Sequence, residues 1–206
     1  MNKRLLWNFE INKEPPLQIS STDLTLIDGV RWECRYFWPE AEIITLIGLD
    51  DRFLELSHYR IKHREDTYYL LPDGEHNLKI REDNLFYKPL FMKQNQAIGF
   101  WKKVQLDAGT KTLLHPDGTT EDAQSLMTRI HREGKTITVV KEALIYRLGT
   151  TPETKLELAR LCVNHKPYFS LCLESKALAF VESISKQLLG KAEACDYVTF
   201  LKSALP

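Results

Sequence analysis

The stretch Asn77-Leu78-Lys79-Ile80-Arg81 alternates polar and apolar side chains without a break. Successive side chains of a β-strand point to opposite faces, so Lys79 and Arg81 are predicted to share one face with Asn77, while the two aliphatic residues share the other. Lys88 follows in the next predicted strand after a short turn. The side chains of three cations in this hairpin would therefore point into the same space. In an ordinary half-buried strand, one face is apolar and the other carries mixed polar residues that face solvent.

Charged residues interrupt other β-rich runs of the chain in the same way. Glu33 and Arg35 alternate with apolar neighbours, and Lys103, Lys141 and Arg147 each follow apolar strand residues. If the strands close into a barrel, an inward polar face lines a wet lumen, where converging Lys and Arg side chains would bind phosphate oxygens. Carboxylates in that lumen would repel phosphate unless Mg²⁺ or Mn²⁺ lay between them.

Runs rich in β-branched and aromatic residues, separated by turn signals, make up most of the chain after residue 30, which is typical of an antiparallel sheet or barrel. The predicted strands are Arg31–Trp38, Glu42–Leu49, Tyr59–Leu71, Asn77–Arg81, Leu85–Pro89, Ala97–Leu106, Thr136–Tyr146, Leu156–Val163 and Tyr168–Glu174. Turns are predicted at Pro72-Asp73-Gly74, Glu82-Asp83-Asn84 and His115-Pro116-Asp117-Gly118.

Two stretches instead carry apolar residues at helical spacing. They predict helices over Thr120–His131 and Ser175–Leu189, with Gly134 and Gly190 as stops. Asp196 is predicted to cap a last short helix, Tyr197–Ala204. The expected fold class is therefore α+β, a mostly antiparallel β domain with a few flanking helices.

The overall charge excludes several classes of partner. The 206 residues include 28 Lys and Arg against 28 Asp and Glu, so no global field draws the protein to DNA, RNA or an anionic membrane, and a polyanion must be gathered locally.

The four cysteines form no CxxC pair, which argues against a zinc site and for reduced thiols. No signal-peptide core and no membrane-length apolar run is found, so we expect a cytoplasmic protein.

Several segments, taken in order, resemble the CYTH superfamily, also called triphosphate tunnel metalloenzymes. The segments that carry the resemblance are Asp66-Thr67-Tyr68-Tyr69, Pro72-Asp73-Gly74, Leu78-Lys79-Ile80-Arg81 with Lys88, Val140-Lys141 with Arg147, Leu156-Glu157-Leu158, Cys172-Leu173-Glu174 and Cys195-Asp196-Tyr197-Val198-Thr199-Phe200-Leu201. The resemblance spans about Arg31 to Leu201, and the order of the motifs carries it.

The resemblance implies an antiparallel eight-stranded β-tunnel, or barrel, formed by residues 31–206, with residues 1–30 as an N-terminal extension packed on it. Basic residues would bind the phosphates of a triphosphate: Arg35, Lys79, Arg81, Lys88, Lys103, Lys141 and Arg147. Glu33, Glu157 and Glu174 would be the catalytic carboxylates that hold Mg²⁺ or Mn²⁺, and the metal would neutralise the charge that develops as water attacks.

This sequence has fewer carboxylates than the family pattern. The family has two Glu and a Lys at alternating positions of its first strand, whereas Glu33-Cys34-Arg35 keeps one acid and one base. Cys172 stands where an acid is expected two residues before Glu174. Phe9-Glu10-Ile11-Asn12-Lys13 is a second partial match, but Glu33 is preferred because it opens the continuous strand block, while two prolines follow Glu10 closely.

Two functions stay open at this point: a metal-dependent triphosphatase, and an inactive tunnel that binds a triphosphate, a nucleotide or inorganic polyphosphate. A third hypothesis makes the basic faces a surface for a protein or RNA partner. The neutral overall charge and the lack of an aromatic and basic RNA-binding motif argue against it. The sequence does not select the substrate, the metal or the oligomeric state.

Overall fold

The structure is a computed structural model that describes residues 2–19, 24–72, 77–107, 109, 112–114 and 119–205. The predicted turn at 115–118 lies outside these residues, as does the predicted turn after Pro72. The strands are β1 Lys3–Leu6, β2 Phe9–Asn12, β3 Arg31–Pro39, β4 Ile44–Ile47, β5 Arg60–Leu70, β6 Asn77–Arg81, β7 Asn84–Lys88, β8 Leu90–Gln94, β9 Ala97–Phe100, β10 Val104–Leu106, β11 Thr112–Leu114, β12 Thr120–Asp122, β13 Lys135–Leu148, β14 Thr154–Val163 and β15 Lys166–Ser175. The helices are α1 Ala123–Glu133, α2 Leu178–Leu189 and α3 Tyr197–Ser203, and two 3-10 turns lie at Asp51–Leu54 and Leu56–His58.

Ten strands form one antiparallel sheet in the order β10-β7-β6-β5-β13-β14-β15-β3-β9-β8. Its centre is held by long ladders: β13 pairs with β5 from Lys135↔Leu70 to Ile145↔Arg60, and with β14 from Val139↔Val163 to Leu148↔Thr154. The predicted α+β class and the predominance of antiparallel sheet are confirmed.

Along β3, the apolar side of the large sheet faces outward onto other elements. On β3, the side chains of Trp32, Cys34 and Tyr36 are buried in the largest hydrophobic core, together with Phe180 and Ile184 of α2. Glu33 and Arg35 alternate with them and point to the opposite face. The charged residues of β3 therefore lie on the inner, concave face of the sheet. Another part of that face is apolar, where Tyr68, Ile137 and Leu161 pack against α3.

The sheet curls until strands far apart in its order meet. Lys88 on β7 forms an ion pair with Glu33 on β3, although the two strands are six positions apart, a distance of roughly 29 Å in a flat sheet. The chain also crosses directly between the two edges of the sheet, once at Pro89 between β7 and β8 and once over residues 101–103 between β9 and β10. The Trp101 N–H donates to the Pro89 carbonyl at 3.0 Å, which links the two crossings.

The predicted closed barrel of eight strands is therefore wrong in two respects. The sheet has ten strands, and within the described residues no ladder joins its edge strands β8 and β10. Pro89 has no N–H to donate, and it separates β7 from β8. The strand predicted over Ala97–Leu106 is also divided: β9 ends before Trp101, and β10 begins at Val104 on the other edge of the sheet. Bends in the chain bring the two edges together where continuous pairing was expected.

A three-stranded sheet, β1-β2-β4, packs outside the large one. Phe9 and Ile11 of β2 are fully buried in the same core as α2, and β2 pairs in parallel with β4. The strands β1 and β2 were not predicted, because four-residue strands gain their stability from tertiary pairing more than from local pattern. The division into residues 1–30 and 31–206 stays a prediction.

All three predicted helices are present, and none of their ends differs from the prediction by more than three residues. The Asp196 carboxylate accepts from the Thr199 N–H at 2.8 Å and caps α3 as expected. Gly190 ends α2 with φ of 62°, a conformation that favours glycine. Within the described part of the chain, none of these helices has the length and apolar character needed to cross a membrane.

Candidate polyanion-binding site

The concave face of the sheet encloses a cavity of about 560 Å³ whose lining is dominated by cations. We call it the basic cavity. Eleven Lys and Arg residues line it against four acids, in a chain whose net charge is zero. The cations are Arg31, Arg35, Arg64, Lys79, Arg81, Lys88, Lys102, Lys103, Lys141, Lys155 and Lys176, and the acids are Asp28, Glu33, Glu157 and Glu174.

Strand alternation explains why these charges meet. Lys79 and Arg81 share a face of β6, and Tyr68, which is paired with Lys79 across the β5–β6 ladder, lies on the same face. Arg64 follows on β5 at an even spacing from Tyr68, and Lys141 pairs with Arg64 across the β5–β13 ladder. Cross-strand partners share a face, so the charged residues of neighbouring strands lie side by side on the concave side of the sheet.

One wall of the cavity is organised by Asp66. This carboxylate is only 4% exposed, and it accepts two bonds from Arg81, at 2.6 and 2.7 Å, and one from Lys79 at 3.1 Å. Burial alone would raise the pKa of Asp66, but the hydrogen bond from Arg81 and the charge of Lys79 outweigh it and lower the pKa. A permanently ionised Asp66 therefore holds both cations against the wall.

Lys79 has an altered charge state of its own. Desolvation lowers its pKa to about 7, because the attraction of Asp66 is offset by the neighbouring charges of Arg81 and Lys141. The Lys79 ammonium also lies 5.2 Å from the ring centre of Tyr68. Near neutral pH, Lys79 can therefore change its charge in response to an anion.

The centre of the cavity is a buried ionic group around Arg35. Its guanidinium lies 3.2 Å from Glu157, 4.0 Å from Glu33 and 3.3 Å from the Ser170 hydroxyl, and it stacks 5.1 Å from the ring centre of Tyr197. Because Tyr197 begins α3, the C-terminal helix closes this end of the cavity with an aromatic ring.

Each carboxylate at the centre contacts two cations. Glu157 accepts from Lys141 at 2.9 Å as well as from Arg35, and Glu33 pairs with Lys88 as well as with Arg35. Burial alone would raise the pKa of Glu157, but Lys141 and Arg35 outweigh it and hold that pKa well below its usual range. Both acids are therefore neutralised by cations fixed to the protein.

The rim of the cavity differs from its centre, because several of its cations have no carboxylate partner. Within the described residues, no Asp or Glu side chain lies within ion-pair distance of Arg64, Lys102, Lys103 or Lys176. Lys103 lies 3.9 Å above the ring of Phe86 instead. A multiply charged anion that enters from the rim would therefore meet uncompensated positive charge first.

No protein-family model matches the chain, and no curated protein matches it. Among solved structures, it is similar to the PH1819 protein of Pyrococcus horikoshii OT3, at 14% identity over 84% of this chain and 99% of that one, with a TM-score of 0.40. It is also similar to a "putative adenylate cyclase" of Bacillus halodurans, at 8% identity over 77% of this chain and 88% of that one, with a TM-score of 0.41. Likeness at these scores adds nothing to the site, whose interpretation rests on its own geometry.

The structure gathers nine of the ten predicted site residues into the basic cavity. They are Glu33, Arg35, Lys79, Arg81, Lys88, Lys103, Lys141, Glu157 and Glu174. Arg147 is the exception: it lies near the end of β13 outside the cavity lining, its side chain is 65% exposed, and it pairs with Glu153 at 2.9 Å. The alternative first-strand match at Glu10 lies on β2 in the small sheet, away from the cavity.

Sequence reasoning missed several members of the site. Arg64 and Asp66 alternate with Tyr68 on one face of β5, so the same period-two signal that identified Lys79 and Arg81 could have found them. Tyr197 had no such signal. It enters the cavity from a helix whose position depends on packing of its apolar residues against the sheet.

The three predicted metal ligands do not fit a Mg²⁺ or Mn²⁺ site as arranged. Glu33 and Glu174 are cross-strand neighbours, but Glu157 faces Cys172 across its ladder, and Arg35 follows on the next strand. These divalent cations require several oxygen ligands around one point. Among the described residues, no group of three or more His, Cys, Asp or Glu side chains could hold a metal ion.

Glu174 is also occupied by cations of the protein. It contacts Arg31 at 2.9 Å and Lys155 at 3.3 Å. A metal ion at this site would have to displace two or more basic side chains from these acids. The role of the three acids as metal ligands therefore remains a prediction that the donor geometry does not favour.

Proposed function

We propose that the basic cavity binds a small linear polyanion of the triphosphate or inorganic polyphosphate class. One observation carries the proposal: eleven cations converge from several strands on one cavity, in a chain that has no net charge. Lys and Arg bind phosphate oxygens by charge-assisted hydrogen bonds, and Arg can contact two oxygens at once.

The size and position of the cavity support a small ligand. Its volume of about 560 Å³ lies within the range of small-molecule sites, ~300–1,000 Å³. Its cations point into a concave space, whereas a nucleic-acid or protein interface would spread them over an outer surface. The motif order that resembles the CYTH superfamily also supports the proposal, because it implies a triphosphate ligand. Hydrolysis of that ligand stays a prediction.

Isothermal titration calorimetry with tripolyphosphate, and with orthophosphate for comparison, tests the proposal. We expect tripolyphosphate to bind much more tightly, because only a longer chain reaches both the rim and the centre. The double variant Arg64→Ala/Lys103→Ala removes two rim cations that have no carboxylate partner, so it leaves no acid unpaired and should weaken binding at least tenfold. Arg147→Ala is the matched control outside the cavity. Equal binding of tripolyphosphate by all three proteins would refute the assigned site.

A phosphate-release assay with tripolyphosphate and nucleoside triphosphates, run with Mg²⁺ and with Mn²⁺, examines hydrolysis separately. Release that is lost in Glu174→Ala would establish the metal-dependent triphosphatase. Release from none of the substrates would leave the binding function alone.

A further inference from the structure

We propose that the basic cavity binds its polyanion without a divalent metal ion, and that Glu33 and Glu157 serve as internal counter-ions of the cavity's cations. The inference rests on the proposed function. It gives those acids the opposite role from the metal ligands that the sequence predicts, and it follows from the geometry around Arg35.

The Arg35 guanidinium lies where a metal ion shared by these acids would have to bind. It contacts Glu157 at 3.2 Å and Glu33 at 4.0 Å, and its side chain is only 12% exposed. The Ser170 hydroxyl at 3.3 Å and the Tyr197 ring fix its remaining directions. A metal ion that reached Glu157 would have to expel a guanidinium that is packed on several sides.

Expulsion of Arg35 would leave a buried charge without a partner. Lys141, 11% exposed, would lose its contact with Glu157 at the same time. An uncompensated buried cation is strongly unfavourable, and the cavity already carries an excess of positive charge that repels a divalent cation. The same excess of positive charge attracts a polyanion. Its phosphate oxygens can join or replace the carboxylates as partners of the same cations.

The fixed cations also supply what a metal ion supplies to a bound triphosphate. A metal bridges neighbouring phosphoryl groups and neutralises their charge. In the basic cavity, Arg35, Lys88 and Lys141 form an inner set of cations held by Glu33 and Glu157, and the rim cations form an outer set. A linear polyanion that spans both sets is neutralised along its length by the protein itself.

The two roles of Glu157 predict opposite effects of Glu157→Gln. As a metal ligand, Glu157 is needed for binding, and the variant loses affinity. As a counter-ion, it competes with the ligand for Arg35 and Lys141, and its neutral amide should raise the affinity for tripolyphosphate about tenfold. Glu174→Gln is a second variant at a more exposed acid, and it should bind at least as tightly as the wild type. Glu40→Gln, at an exposed ion pair with Arg160, is the control outside the cavity.

The experiment is calorimetric titration of the full chain with tripolyphosphate at pH 7, in EDTA and in excess MgCl₂ or MnCl₂. We expect binding in EDTA that is at least as tight as in either metal, and no rise in the midpoint of thermal unfolding with MnCl₂ alone. Binding that requires a metal, or a loss of affinity in Glu157→Gln while it remains folded, overturns the inference and leaves the proposed function intact. Absence of binding in every buffer overturns the proposed function as well.

Discussion

Substitution of Asp66 by Asn tests whether this buried carboxylate holds the neighbouring cations of the cavity in place. The carboxylate is 4% exposed and is bound by Arg81 at 2.6 and 2.7 Å and by Lys79 at 3.1 Å. Breaking a buried ion pair from one side costs about 3–5 kcal/mol. The Asn amide retains some hydrogen bonding and the two cations are not fully buried, so we expect the free energy of unfolding to fall by about 3 kcal/mol.

A bound polyanion should restore part of this loss. A ligand at 100 times its dissociation constant adds about 2.7 kcal/mol to the wild type. If the Asp66→Asn variant binds tripolyphosphate tenfold more tightly because Arg81 is released, the same concentration adds about 4.1 kcal/mol to it. The difference in stability between the two proteins should therefore shrink by about 1.4 kcal/mol when tripolyphosphate is present.

Urea unfolding at pH 7, followed by tryptophan fluorescence with and without tripolyphosphate, measures both quantities. Glu40→Gln is the control, because its exposed pair with Arg160 is worth at most about 1 kcal/mol and lies outside the cavity. An unchanged stability difference in the presence of ligand would show that the ligand does not use Arg81. A variant as stable as the wild type without ligand would show that the buried pairs do not support the wall.

Three further outcomes follow from the structure. Affinity for tripolyphosphate, relative to Lys79→Arg, should fall up to ~16-fold between pH 7 and pH 8.5, because Lys79 has a pKa of about 7 and goes from half charged to almost uncharged over this range while arginine keeps its charge; calorimetry at a series of pH values measures this. Arg147→Ala should bind as the wild type does in the same assay, since its side chain pairs with Glu153 outside the cavity. Leu158→Ala should lower the free energy of unfolding by about 3–4 kcal/mol in urea titrations, because Leu158 is fully buried in the main core.

The same pKa also affects the unliganded protein. Above pH 7, the folded state has released a proton from Lys79 that the unfolded chain keeps up to its ordinary pKa of about 10.4, so unfolding takes up a proton. The contribution of Lys79 to stability should therefore become more favourable as the pH rises from about 7 to about 10. Its contribution to polyanion binding changes in the opposite direction over the same range.

The period-two pattern of the strands was enough to predict the class of the fold and most of the site. Alternation within a strand depends only on local backbone geometry, so Lys79 with Arg81 and Glu33 with Arg35 were placed on common faces correctly. The three helices followed from apolar spacing and from the capping residue Asp196. These features are local and need no knowledge of the partner strands.

Tertiary structure alone decided how those faces meet. The sheet has ten strands because Pro89 and the exposed stretch at 101–103 break two long strands at the crossings between its edges. Arg147 satisfies the same local rule as Lys141 yet lies outside the cavity lining, near the end of β13, where it pairs with Glu153. Cations on strand faces were therefore predictable from the sequence. Their pairing with Glu33, Asp66 and Glu157 was not, because it depends on side chains from strands distant in the chain that only the curl of the sheet brings into contact.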